Sequence, residues 1–392
     1  MNFFTYINET PASFWEKYIE PGYVAVGQHA EFPLSIFSYS RRTVQENKWD
    51  DVTSKCRGII INRDTGEIIS RPFEKFHNHT GMEDPADVLA YAPPVIWEKL
   101  DGFMATLYTW QGVDYVASKG SFHSIHAKWA TAWLRKKWGN KVPFKPEGWT
   151  LVFEGLHRDL RIVVDYKERQ ELVLLAVINN ETGEEYKPEE LKAIARAMCF
   201  ETPVKNNLTL EQARRCTMGT AQDGSEEGFV LTWYQDGKPP FRLKMKFIEY
   251  LRLHRMVTGV SPKRIWEVLA TNQSTELDEY LRQSTPWFSA FVQKWMKALT
   301  IEYDRIHGEA HTRYQVARTM LKPQIAECLA QEHLDFSELR KAYALRFTTP
   351  ENKPYAGVMF AMLDGKDIKP VIWKMVKHLT SGKNPMVDAH NT

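Results

Sequence analysis

The sequence predicts an α+β chain in two parts: antiparallel β structure interleaved with helices over residues 1–254, then an all-helical domain over residues 255–392. Three observations carry this expectation. In the first part, β-branched runs repeatedly flank glycine-bearing turns, as hairpins require. From Pro262 to Leu379 the apolar residues fall three and four apart, as in Trp287, Phe291, Trp295 and Leu299, which is helical spacing. At 392 residues, with 43% hydrophobic and 26% charged, there is enough apolar surface to offset ordering entropy and enough length for two domains.

Taken in order, residues 57–62 and 67–70 form a hairpin around Asp64-Thr65-Gly66, residues 105–108 and 114–117 a second around Trp110-Gln111-Gly112, and residues 172–178 join Glu185-Tyr186 through Asn180-Glu181-Thr182-Gly183. Further strands are expected at 150–154, 161–166, 228–233 and 241–246, with helices at 123–137 and 188–198. In the second part, Ser261-Pro262, Ser284-Thr285-Pro286 and Asp335 are helix start signals.

Composition narrows the function. Against 51 Lys+Arg stand 49 Asp+Glu, a net charge of +2, so this is no generic polyanion binder and any nucleic-acid contact must be local. Residues 255–392 carry 19 Lys+Arg and 15 Asp+Glu, leaving 32 against 34 in residues 1–254. The longest aliphatic run, residues 172–178, is too short to cross a bilayer, so no membrane partner is expected. The N-terminal residues carry no basic and apolar export signal. Cys56, Cys199, Cys216 and Cys328 form no CxxC pair, which reads as buried or inert thiols in a reducing, cytoplasmic compartment.

The sharpest local feature is Glu98-Lys99-Leu100-Asp101-Gly102, where a strand-like segment leads into a lysine, an aspartate and a glycine. A lysine amine attacks only when neutral, and burial and nearby cations lower its pKa. The glycine would let the chain turn and let a phosphate approach the backbone. In Leu243-Lys244-Met245-Lys246 the two lysines alternate with apolar residues, so both point to one strand face. There they could bind a phosphate and hold down the Lys99 pKa. Glu154 and Glu227 sit at strand ends and are hard oxygen donors of the kind magnesium prefers. Asp101 reads either as an orienting group for Lys99 or ribose or as a turn-former. Phe153 alternates with Glu154 and is expected in the core.

These motifs come in company. Ile36-Phe37-Ser38-Tyr39, Cys56-Arg57-Gly58 and Glu74-Lys75-Phe76 precede Lys99, while Ser118-Lys119-Gly120, Phe153-Glu154-Gly155, Glu226-Glu227-Gly228 and Lys244-Met245-Lys246 follow it. The series resembles the covalent nucleotidyltransferases, the polynucleotide ligases and mRNA capping enzymes, and within them the phage-type RNA ligase 1 family. It runs from about Ile36 to Lys246. The resemblance implies that the first part is a nucleotidyltransferase domain in which Lys99 takes adenylate from ATP. It implies a nucleotide pocket holding Tyr39, Arg57, Lys75, Glu98, Gly102, Lys119, Glu154, Glu227, Lys244 and Lys246, with Asp101, Glu227, Lys244 and Lys246 beside Lys99 in catalysis. Mg²⁺, with Mn²⁺ as substitute, would sit at Glu154 and Glu227; which of the two holds it directly is not decided by sequence. Tyr39 could equally be a core tyrosine.

Leu100 stands where relatives vary. A helical second part, rather than a small β-barrel, suits the RNA ligase 1 family, where it is associated with tRNA-like substrates. The resemblance therefore implies an ATP-dependent RNA ligase, working as a monomer, that joins 5′-phosphate and 3′-hydroxyl RNA ends, with repair of cleaved tRNA as its role and a phage-infected host cytoplasm as a plausible setting. A different end-joining or capping specificity (DNA ends or GTP), or a nucleic-acid-binding relative without chemistry, are the alternatives. Two histidines at His307 and His311 lack the His-Glu-x-x-His order of a zinc helix, and His77 and His79 read as a solvated loop. No Gly-x4-Gly-Lys-Ser/Thr or Gly-x-Gly-x-x-Gly motif is present.

Overall fold

The computed structural model describes residues 11–79, 93–160, 163–219, 225–271, 286–330 and 336–381, together with 275, 277, 278 and 281. The chain divides into two compact units, Met1–Arg255 and Met256–Asn384.

The first unit carries three sheets. One has the order β1 (Val24–Gln28), β2 (Leu34–Tyr39), β3 (Arg57–Asn62), β4 (Ile68–Ser70). A second has β10 (Glu171–Asn179) beside β9 (Trp149–Leu156), then β7 (Phe103–Trp110) and β8 (Val113–Ser118). The third runs β11 (Lys205–Asn206), β6 (Val95–Lys99), β12 (Gly228–Gln235), β13 (Lys238–Lys246), β5 (His77–Asn78). Every pairing is antiparallel except β13 with β5. The first two expected hairpins form as read. The third shrinks to a single bridge, Ile178 to Glu185. The helices form over Ile125–Trp138 and Pro188–Ala197.

No strand forms at residues 163–166; residues 161 and 162 lie outside the described residues. The Val163 and Val164 amides instead donate to the Asp101 carboxylate, each at 2.7 Å. A hydrogen bond to an ionised acceptor in a low-dielectric interior competes well with a sheet ladder. Phe153 is fully buried as expected, in a cluster with Trp97, Phe103, Leu151 and Leu174 and with Leu134 and Leu191 of the two helices. A separate cluster of Ile96, Leu231, Leu243, Met245, Phe247 and Tyr250 backs the third sheet on its other face.

In the second unit the described residues form helices and no strand. Helices span Pro262–Ala270, Pro286–Met320, Lys322–Ala330, Phe336–Phe347, Ala356–Leu363 and Lys369–Val376. The helical texture begins at Ile248–Gly259, earlier than residue 255. Ser261 caps its helix, accepting from the Arg264 amide at 3.1 Å, a bond worth about 1 kcal/mol. Ser284, Thr285 and Asp335 lie outside the described residues. The Trp266 indole donates to the Trp373 carbonyl at 2.7 Å. Among the described residues no helix is long and apolar enough to cross a membrane. The cysteines Cys56, Cys199 and Cys216 are free; Cys56 is buried as expected, but Cys199 and Cys216 are exposed.

Candidate active site

The site is laid out by strand register. Gly228 of β12 pairs with Lys99 of β6 on one side and Lys246 of β13 on the other; Val230 pairs with Trp97 and Lys244; Thr232 pairs with Val95 and Arg242. Directly opposed residues project to the same face of a sheet, so Lys99, Lys244, Lys246, Trp97 and Arg242 share one face. Gly228 makes the first rung possible: its φ is +146°, and a Cβ there would lie 2.0 Å from the Met245 carbonyl oxygen.

Glu227, 3% exposed, lies at the centre. Its Oε2 accepts from Lys99 Nζ at 2.7 Å and its Oε1 pairs with Lys246 Nζ at 2.7 Å. One carboxylate thus clamps two ammonium groups. Burial alone would raise its pKa, but Lys99 and Lys246 outweigh this and hold it below the ordinary glutamate value.

The expectation that neighbouring cations depress the Lys99 pKa is corrected here. Burial does work in that direction, yet Glu227, Glu154 and Asp101 together prevail and hold the amine above the usual lysine value. The cationic crowding falls on Lys244 instead. Burial, then Lys75, Lys99, Lys246 and Arg57, bring Lys244 down to about 6. Burial and Arg57 likewise bring Lys119 to about 8.

Glu154 is the complementary case: burial, reinforced by Glu227 against the pull of Lys99 and Arg57, raises it to about 7. Its Oε1 accepts from the Gly102 amide at 3.0 Å. Glu154, Lys99, Glu98, Gly102, Arg57 and Lys119 line one cavity, floored by Trp97 and Val230. Glu98 also accepts from the Val204 amide at 3.3 Å. Tyr39 lies at the cation cluster rather than in the core: Lys119 Nζ stands 3.9 Å over its ring and Lys75 Nζ 5.9 Å.

One further expectation changes. Asp101 does not line this cavity. It is 1% exposed, and besides the two valine amides its Oδ1 accepts from the Tyr250 hydroxyl at 2.7 Å, so it is a buried anchor acting on Lys99 only through its charge. Gly102 lines the cavity and also serves a packing need. A Cβ there would meet the Gly155 carbonyl oxygen at 2.4 Å, so glycine lets β9 approach the nucleophile segment closely.

Sequence reasoning passed over Arg242 and Trp49. Arg242 is ion-paired in a buried position with Glu185 and stands 4.4 Å over the Phe73 ring. It is two residues before Lys244, so the alternation that selected Lys244 and Lys246 also reaches it. Trp49 lies 4.9 Å from Tyr39, with Lys75 Nζ 5.1 Å over its ring; nothing in its local sequence signals this. The His307 and His311 rings stack 6.3 Å apart, and among the described residues no group of three or more His, Cys, Asp or Glu forms a metal cage.

The depressed Lys244 pKa gives a stability prediction. Between about 6 and its ordinary value of 10.5, the unfolded chain binds the extra proton, so the cost of burying this ammonium is full below about pH 6 and fades as pH rises. Lys244→Met is expected to raise the melting temperature, most at pH 6 and progressively less toward pH 10. Equal gains at both pH values would contradict the assignment.

A half-buried lysine clamped by a buried carboxylate, walled by cations and set on an antiparallel sheet suits group transfer from phosphate-bearing substrates. A family model described as RNA ligase matches residues 55–251, half of the chain, and the chain belongs to this RNA ligase family of enzymes. The RNA ligase of Rhodothermus phage RM378 is 26% identical, the match covering 80% of this chain and 82% of that one. RNA ligase 1 of bacteriophage TS2126 is 29% identical over 29% of this chain and 32% of its own length. Among solved structures, Naegleria gruberi RNA ligase with PPi matches at 16% identity and a TM-score of 0.34, over 43% of this chain; the chain spans about half, 54%, of that protein.

Proposed function

We propose that the protein is an ATP-dependent RNA ligase that works through a lysyl-adenylate. The observation that carries this is the Lys99 amine, held in the cavity at the junction of Glu227, Glu154 and the Arg57–Lys119 wall. In the first step the Lys99 ammonium gives up a proton to solvent and its nitrogen attacks the α-phosphorus of ATP; a P–N bond forms and the P–O bond to pyrophosphate breaks. An RNA 5′-phosphate oxygen then displaces Lys99 from the adenylate, and a 3′-hydroxyl attacks that 5′-phosphorus as AMP leaves.

The chain's own groups divide this work. Lys246 and Lys99 share Glu227, which fixes the nucleophile's position. Lys244, close to neutral near pH 7, regains its proton when an anionic phosphate arrives and then stabilises charge on the transferring group. Arg57, Lys75 and Lys119 hold the remaining phosphates, with Tyr39 and Trp49 carrying the two lysines on their ring faces. Trp97 and Val230 give the base an apolar floor.

The residues fit a divalent cation. Magnesium is usually held by one or two carboxylates, with water and substrate phosphates completing its shell, so a three-ligand cage is not required. Glu154 has no ammonium within salt-bridge range among the described residues, whereas Glu227 is taken by two lysines. Glu154 is therefore assigned as the direct ligand of Mg²⁺ or Mn²⁺, and Glu227 as the lysine clamp. A cation there would offset the Glu154 charge and weaken its hold on the Lys99 proton. Binding must displace the Glu154 proton, so Mn²⁺ affinity is expected to rise with pH up to about 7 and level off above. Titration calorimetry at pH 6, 7 and 8 reads this; Glu154→Gln should bind weakly with a flat profile, and a flat wild-type profile would refute the ligand assignment.

The second unit is assigned to contact with tRNA-like substrates, the whole acting as a cytoplasmic monomer in RNA repair. The deciding experiment incubates the protein with Mg²⁺ and ATP labelled at either the α- or the γ-phosphate. Acid-labile covalent label is expected from the first alone. GTP in place of ATP tests a capping specificity, and circularisation of 5′-phosphorylated RNA or DNA identifies the acceptor.

A further inference from the structure

A second cleft in the first unit shares no lining residue with the cavity around Lys99. The β1–β2 turn supplies one wall. His29 stacks on Phe32 with ring centroids 4.1 Å apart and planes 9° apart, and lies 4.8 Å from the His123 ring. Phe32 continues the aromatic row to Tyr115 at 5.6 Å, and the Arg135 guanidinium caps it 5.1 Å over that Tyr115 ring. The opposite wall is one face of the helix Ile125–Trp138, where Lys128, Arg135 and Lys136 are exposed at i, i+7 and i+8, the spacing of a single helix face.

The charge of this cleft departs from its surroundings. Three cations line it against one carboxylate, Glu31, although residues 1–254 as a whole hold 32 Lys+Arg and 34 Asp+Glu. Stacked rings beside a local cationic strip are what an unpaired polynucleotide needs: bases have π-faces to stack, and phosphates need counter-charge. An acidic peptide would use the cations but leave the ring row without a role.

Its position fits the same occupant. Lys119, in the wall of the Lys99 cavity, is four residues from His123, and four residues of chain span at most about 14 Å. A stacked strand advances about 3.4 Å per nucleotide, so a strand leaving the reacting end past Lys119 reaches the cleft in about four nucleotides. We propose that this cleft, from His29 and Phe32 to Lys128, Arg135 and Lys136, is a subsite for single-stranded RNA about four nucleotides from the joined end. The inference rests on the RNA ligase reading above.

The test uses the full chain with Lys128→Glu/Lys136→Glu, and separately His123→Ala, all at exposed positions. Lysyl-adenylate formation from ATP, which needs no RNA, is measured beside joining of 5′-phosphorylated RNAs of 3, 6, 12 and 20 nucleotides. The expected result is unchanged adenylylation, unchanged joining of the trinucleotide, and a KM raised about tenfold for RNAs of 6 nucleotides or more. The salt dependence of binding should also flatten, by about 0.7 log units for each phosphate no longer neutralised. His123→Ala should raise the same KM with the salt slope unaltered. Wild-type joining at every length would overturn the subsite, and so would loss of adenylylation in the variants. Failure of wild-type protein to form lysyl-adenylate would instead overturn the functional reading.

Discussion

Replacing Lys99 by alanine is expected to abolish transfer of α-phosphate label from ATP to the protein, by about 10⁴-fold or more, the scale of loss when a covalent nucleophile is removed. The fold should survive, because Glu227 keeps its second partner, Lys246, at 2.7 Å. Lys99→Arg sharpens the result. A guanidinium can still pair with Glu227, yet it does not deprotonate in proteins and cannot attack. The arginine variant should therefore melt close to the wild type while remaining unlabelled. Labelling at even a few percent of wild type in either variant would show that another nucleophile carries the adenylate.

The second large effect is on stability. Glu227→Ala leaves the Lys99 and Lys246 ammonium groups facing each other across a buried site with no anion between them. Breaking a buried ion pair from one side costs about 3–5 kcal/mol. At about 2–4 °C per kcal/mol for a unit of this size, the melting temperature should drop by roughly 10 °C. The pH dependence has a definite sign. The folded-state pKa of Glu227 lies below its ordinary 4.5, so its contribution is complete above about pH 4.5 and is lost as the pH falls through the folded value. Wild type and variant should thus converge in acid. Adding Lys99→Met to Glu227→Ala should restore part of the lost stability, since one of the two stranded charges goes. No recovery in the double variant would mean that the clamp is not an energetic unit.

How much of this was legible in the sequence differs by element. The β3–β4 and β7–β8 hairpins were readable because Gly66 and Gly112, at φ +74° and +78°, mark turns that few other residues accept. The shared face of Lys244 and Lys246 followed from alternation alone. The electrostatic balance at Lys99 was not readable, because it depends on Glu154, Glu227 and Asp101 arriving from three separate strands or turns, and distance decides whether carboxylates or lysines prevail. Asp101 itself shows the limit of motif reasoning. Its place beside Lys99 in the sequence suggests chemistry, whereas the Tyr250 hydroxyl and two valine amides, 62 to 149 residues away, make it a tether. Within the strand expected at 161–166, residues 163–166 form none for the same reason, since the Val163 and Val164 amides had a stronger partner than a neighbouring strand.

The rung Lys99–Gly228–Lys246 has a consequence for biosynthesis. The nucleophile is translated early, but its partner strands arrive only after another 147 residues have been made. A ribosome-bound fragment ending before residue 246 holds the amine without Lys246, the second partner that steadies the Glu227 clamp, so self-labelling should appear only once translation has passed that point. Competence to load nucleotide would then report that the whole first unit has emerged and closed.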